Sequence, residues 1–198
     1  MRPEVDTDVT IPYVISINSV SGGGKTTVAR LVQESLSAVL FCFDDFDDTN
    51  VHPDDLYEWT KRGGNLLEFD CPGMVDAVEQ VLKQDTITHV VLDYPFGRDH
   101  PRFCEIIDLA VFIDTPLDVA MARRILRDYA VESVASPDER LESLRVEMAH
   151  YLEKARYPYL DTNRHKETSD LILDGCNTPA ELRDGVLARV STTASRRR

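Results

Sequence analysis

Basic residues are scarce in this chain. Lys and Arg number 22 against 35 Asp and Glu, a formal net charge of −13 over 198 residues. Such an acidic surface repels nucleic acid and anionic membranes, so neither is an expected partner. The only run of three consecutive basic residues, Arg196-Arg197-Arg198, reads as a solvated terminus. Long apolar runs are also missing, and none could span a bilayer. The first ten residues carry three acidic groups and no apolar core, unlike a signal peptide, and the expected location is the cytoplasm. Cysteine is sparse. Cys42, Cys71, Cys104 and Cys176 form no CxxC pair and have no His-rich companion pattern, which argues against structural zinc and a disulfide framework. Internal repeats are absent. So is an Asn-Lys-x-Asp guanine motif, which disfavours a GTPase switch.

What remains is ordinary globular material, 42% hydrophobic and long enough for one α/β domain over 1–198. Short apolar runs alternate with amphipathic stretches. Strands are expected over 13–17, 39–43, 89–93, 109–113 and 171–173, with helices over 25–36, about 72–82 and roughly 179–190. Continuous apolar strands separated by helices imply a parallel sheet covered on both faces. Thr115-Pro116-Leu117-Asp118 starts a helix with Leu117, Met121 and Ile125 as its buried stripe. Ser136-Pro137-Asp138-Glu139 is a capping box. Its helix carries Leu141, Leu144, Met148 and Leu152 on one stripe and is expected to end near Pro158. A long insertion, about 44–85, separates the second and third strands. Segments leaving the carboxyl ends of parallel strands line the ligand crevice, so the insertion is the expected acceptor region.

Ser19-Val20-Ser21-Gly22-Gly23-Gly24-Lys25-Thr26 follows a strand and opens a helix. Phosphates need inward-pointing backbone N–H groups, a helix N-terminus and little side-chain bulk. Ser21 to Thr27 (with Gly22, Gly23 and Gly24 at its centre) is therefore the expected ATP-phosphate cradle, with Lys25 reaching the outer phosphates and Thr26 ligating Mg²⁺. One position departs from the P-loop pattern, where Ser19 stands in place of Gly. Phosphorylating a hydroxyl also needs a carboxylate to orient it, and acidic groups that hold the metal. Asp44 and Asp93 leave the second and third strands beside the loop and fit both needs, while Asp47 and Asp48 read as turn residues. Arg123, Arg124 and Arg127 cluster on one helix. Either they neutralise a transferred phosphoryl group or they pair with Asp118, Asp128 and nearby Glu residues.

These residues together resemble uridine kinase and its relatives, including nicotinamide riboside kinase. Phe43-Asp44-Asp45-Phe46 is similar to the segment whose first Asp is the family's catalytic base, which implies Asp44. Glu68-Phe69-Asp70-Cys71-Pro72 is similar to the Asn-Phe-Asp-His-Pro segment, implying ribose contact by Asp70 and base contact by Phe69. Ala122-Arg123-Arg124-Ile125-Leu126-Arg127-Asp128 resembles the lid helix, whose arginines reach ATP phosphates. Asp93 stands where the family has Glu, and the Arg-Gly-Arg after the lid helix is absent. The resemblance implies a P-loop NTPase three-layer sandwich with sheet order 2-3-1-4-5 and a small helical lid over about 123–140. It implies an ATP- and Mg²⁺-dependent kinase acting on a nucleoside-like 5′-hydroxyl. Asp44, Lys25, Arg123 and Arg127 would be catalytic, Arg124 would join the ATP site, and Thr26, Asp44 and Asp93 would place the metal. Phe69, Asp70 and either Tyr94 or Phe96 would meet the acceptor. Arg98 is an acceptor contact or an ion-pair partner. A monophosphate or other alcohol acceptor and an ATP-binding regulatory protein are the alternatives. A homo-oligomer is left open.

Overall fold

A computed structural model describes residues 11–129 and 136–194. The N-terminal ten residues, the Arg196–Arg198 tail and residues 130–135 of the expected lid lie outside the described residues. Five parallel strands form one sheet in the order β2-β3-β1-β4-β5, as expected. They are β1 (Tyr13–Asn18), β2 (Val39–Cys42), β3 (His89–Asp93), β4 (Leu109–Asp114) and β5 (Leu171–Asp174). Every residue of β1 is buried, which is why its sequence shows no polar alternation.

Alternation within β1 decides which layer each side chain joins. Tyr13, Ile15 and Ile17 pack with Val28 and Val32 of α1 (Lys25–Leu36) and Leu182 and Val186 of α7 (Pro179–Ala194). Val14 faces the other side, with Met74 and Val78 of α3 (Pro72–Leu82), Tyr94 and Phe103. Each such fully buried aliphatic side chain contributes about 1.5–3 kcal/mol. The result is a three-layer sandwich with both sheet faces covered.

The insertion after β2 is compact. A 3-10 turn (Phe43–Phe46) leads to α2 (Leu56–Lys61), whose N-terminus is capped by Asp55. Val51 and Asp70 then form an antiparallel bridge that draws the segment closed ahead of α3. On the far side, α4 (Leu117–Tyr129) and α5 (Pro137–His150) follow β4. Ser136 and Glu139 form the expected capping box.

Two expectations for this region are corrected. Leu141 and Leu152 are not on a buried stripe, being 58% and 74% exposed. Arg140, Leu144, Glu147, Met148 and Tyr151 turn inward instead, because the face meeting α4 is polar and satisfies Arg124. The helix also does not stop at Pro158. A π-helical turn (Tyr151–Ala155) intervenes, with the Arg156 N–H bonding the Tyr151 carbonyl. The shifted ladder lets Pro158 sit inside α6 (Arg156–Asp161), and a 3-10 turn (Thr162–Lys166) carries the chain toward β5.

Candidate functional site

The loop between β1 and α1 is held open by glycine geometry. Gly22 and Gly24 have φ of 79° and 99°, in the left-handed region that a side chain disfavours. A Cβ on Gly22 would strike the Ala120 carbonyl and the Arg124 stem, so α4 rests directly on the loop. A Cβ on Gly23 would strike the Ser19 hydroxyl. That hydroxyl donates to the Ile113 carbonyl at 2.8 Å, and Thr115 Oγ1 donates to the Gly23 carbonyl at 2.9 Å. Ser19 therefore ties the start of the loop to the end of β4, a bond that Gly could not make.

Asp93 ends β3 beside this loop and is only 3% exposed. Thr26 donates its hydroxyl proton to Asp93 Oδ2 at 2.5 Å. The Thr26 oxygen keeps its lone pairs for a cation. Asp93 Oδ1 is buried with no hydrogen-bond partner. Burial pushes the Asp93 carboxyl above the usual range, while the Lys25 charge and the Thr26 bond oppose that rise. An orphaned buried carboxylate oxygen beside a hydroxyl and a glycine cradle fits phosphate with a hydrated divalent ion.

Asp44 lies in the turn that leaves β2, with its side chain exposed to a crevice of about 270 Å³. The crevice begins at Ser19, Val20, Ser21 and Lys25 of the loop. Its apolar wall comes from Phe43, Trp59, Phe69 and Phe96. Phe69 packs edge-on against Trp59 at 5.2 Å and tilted against Phe96 at 4.7 Å between ring centroids. Helix α6 and the turn after it close the crevice with Tyr159, Asp161 and His165. Among the described lining residues, Lys25 is the one permanent cation.

The remaining expected residues are placed elsewhere. Tyr94 is fully buried, packed edge-on against Phe43, Phe96 and Phe103, and burial drives its phenol pKa far up. Of the two aromatics expected after β3, it is Phe96 that lines the crevice. Asp70 is outside the lining and is held by Arg102 through two bonds of 2.7 and 2.8 Å, which keep its carboxyl below the usual range. Arg98 pairs with Asp170 at 2.8 Å and donates to the Ile107 and Asp108 carbonyls. The three helix arginines divide their tasks. Arg124 pairs with Glu147 at 2.6 Å and donates to the Tyr159 hydroxyl, joining α4, α5 and α6. Arg123 donates to the Gly175 carbonyl, and Arg127 pairs with Asp128 and feels the charge of Asp44.

Sequence reasoning missed Trp59, Tyr159, Asp161 and His165 as lining residues. Trp59 carried a signal, as the chain's single tryptophan inside the acceptor insertion. The others lie about a hundred residues further along, with no local pattern to mark them.

No protein-family model matches the chain. It is similar to the uridine kinase of Bacillus mycoides (strain KBAB4), at 25% identity covering 59% of this chain and 67% of that protein. The uridine kinase of Lactiplantibacillus plantarum is 27% identical over a similar share, 59% and 68%. That of Saccharomyces cerevisiae is 28% identical over 60% of this chain, which spans only 29% of the yeast protein. Among solved structures, a gluconokinase from Sinorhizobium meliloti 1021 superposes with a TM-score of 0.55 at 19% identity, covering 94% of this chain and 95% of that one. The chain is thus similar in sequence to uridine kinases, and its five parallel strands in the order β2-β3-β1-β4-β5 have the P-loop NTPase fold.

Proposed function

We propose that this chain transfers the γ-phosphoryl group of ATP to a primary hydroxyl of a small uncharged acceptor, the 5′-hydroxyl of a ribonucleoside-like molecule. One observation carries the reading. A single crevice joins the phosphate loop, the Asp44 carboxylate and an aromatic wall. Such a space takes a hydroxyl at the phosphate end and a planar ring against Phe69 and Trp59.

In this mechanism Asp44 orients the acceptor hydroxyl and takes its proton as the oxygen attacks the γ-phosphorus. The bond from that phosphorus to the β–γ bridging oxygen breaks, and ADP leaves. The loop N–H groups cradle the phosphates. Lys25 stabilises the charge on the transferred group, Arg123 and Arg127 would add to it once released from the Gly175 carbonyl and Asp128, and Arg124 steadies the helix that bears them. Thr26 and Asp93, with Asp44, would hold Mg²⁺, which neutralises phosphate charge when bound. A nucleoside monophosphate suits the crevice poorly. Its lining sets Asp44 and Asp161 against Lys25 alone, and Arg164 is already paired with Asp161 at 3.3 Å.

The test is ADP release across a panel of nucleosides, nucleoside monophosphates and sugars. Turnover is expected with nucleosides. Asp44→Asn is expected to lower kcat about 10²–10⁴-fold with ATP affinity retained. Full activity in Asp44→Asn would remove its role as base. Tight ATP binding without turnover on any acceptor would favour a regulatory nucleotide-binding protein.

A further inference from the structure

His165 has no task in the phosphoryl transfer described above, yet it lines the same crevice. It is 4% exposed and lies edge-on to Phe96, with centroids 6.2 Å apart. Its Nδ1 is hydrogen-bonded to Asp99, in the loop after β3 and 66 positions away in sequence. No described residue bonds Nε2, and that atom is not among the sealed, unpartnered ones. Burial holds the imidazole below its usual pKa, with Asp99 opposing, so the ring favours the neutral form with Nδ1–H on the carboxylate. A carboxylate on one nitrogen sets the tautomer and makes the other a better acceptor.

We infer that His165 is an acceptor-binding residue whose Nε2 takes a hydrogen bond from a hydroxyl of the acceptor other than the phosphorylated one, with Asp99 positioning the ring. The inference rests on the phosphoryl-transfer reading. It narrows the substrate to molecules that pair an apolar ring with at least two hydroxyl groups. Asp44 meets one hydroxyl and His165 a second, from separate elements on the crevice wall. The competing explanation is a purely structural strut, in which the His165–Asp99 pair only fastens the turn after α6 to the β3 loop.

Two substitutions separate these explanations. His165→Asn keeps an amide donor near the Nδ1 position, hence the bond to Asp99, and deletes Nε2. His165→Gln places an amide near Nε2. Steady-state kinetics with ribonucleosides and their singly deoxygenated analogues supply the readout. His165→Asn is expected to raise the acceptor KM about tenfold or more, with the ATP KM unchanged. His165→Gln should stay within about threefold of the parent. One deoxy analogue should bind poorly to the parent and no worse than the full acceptor to His165→Asn, the mark of a lost shared bond. Equal discrimination against every deoxy analogue in parent and His165→Asn would overturn the inference, as would a lowered melting temperature with unchanged acceptor KM. If the parent turns over no acceptor, phosphoryl transfer fails separately. Calorimetric binding of the same ribosides to the ATP-loaded protein then decides His165. Binding weakened in His165→Asn supports its role, and equal or absent binding overturns it.

Discussion

At the scale of single residues, Ser19 is the position where the phosphate loop departs from the glycine pattern, and the structure gives that departure a use. Its hydroxyl is bonded to β4 and fills the space that a side chain on Gly23 would need. Ser19→Gly removes a buried hydrogen bond and adds backbone freedom to the unfolded chain. The expected cost is about 1–2 kcal/mol, read as a melting temperature lower by roughly 2–8 °C, with ATP affinity little changed. Gly23→Ala should be worse, because the new methyl displaces the Ser19 hydroxyl. The two changes should also be non-additive. In the Ser19→Gly background the added harm of Gly23→Ala should shrink by about 1 kcal/mol, measured by a denaturant double-mutant cycle. Strict additivity would mean that the two side chains do not compete for that space.

Among elements, the decisive feature is how the helices after β4 are strapped together. Glu147 of α5 accepts from Arg124 at 2.6 Å and from the Tyr129 hydroxyl, both on α4. The Arg124 guanidinium also lies over the Tyr159 ring of α6 at 5.3 Å. Arg164, in the turn after α6, donates to the Gly64 carbonyl at 2.7 Å and lies over Trp59, docking this arm on the insertion. The crevice roof is thus made by two segments a hundred residues apart. Glu147→Ala leaves a partly buried guanidinium without its carboxylate. The expected loss is about 2–3 kcal/mol, seen as a lower denaturant midpoint. Glu147→Gln keeps one acceptor and should lose less. A stability equal to the parent's in Glu147→Ala would show that the strap contributes nothing.

For the whole molecule, pH should act through buried histidines. His100 is 1% exposed. Its Nε2 donates to the Phe69 carbonyl while its Nδ1 accepts from the Arg102 N–H. Accepting at Nδ1 requires the neutral ring, and burial lowers the pKa of His100 and of His165 below the ordinary value of 6.5, with the Phe69 carbonyl opposing the shift at His100. A folded pKa below the unfolded one means that the unfolded chain binds more protons as pH falls. The stability these rings contribute is complete above about 6.5 and is lost as pH drops from there through the depressed folded values. Thermal midpoints should be level between pH 8 and 7 and decline toward pH 5. His100→Gln, which cannot take up a proton, should start lower and decline less. An unaltered acid slope in that variant would assign the effect to other groups.

The parts of the molecule legible in sequence were those encoded over short spans. Buried runs in β1, β3 and β4, the glycines before Lys25, and the Ser136–Glu139 cap each form from neighbouring residues, so spacing alone announced them. The resemblance to uridine kinases then supplied the sheet order. Tertiary packing decided the rest. It placed Tyr94 in the core and Phe96 on the crevice. It gave Arg102 to Asp70 and Asp170 to Arg98, and it used Arg124 to join helices. It also carried the chain through Pro158, so that Asp161 and His165 line the same crevice as Ser21 and Lys25. Hydrophobic periodicity records which face of an element is buried. It does not record which distant charge or ring will meet that face, because such pairs are selected only when the whole sheet and its helices pack together.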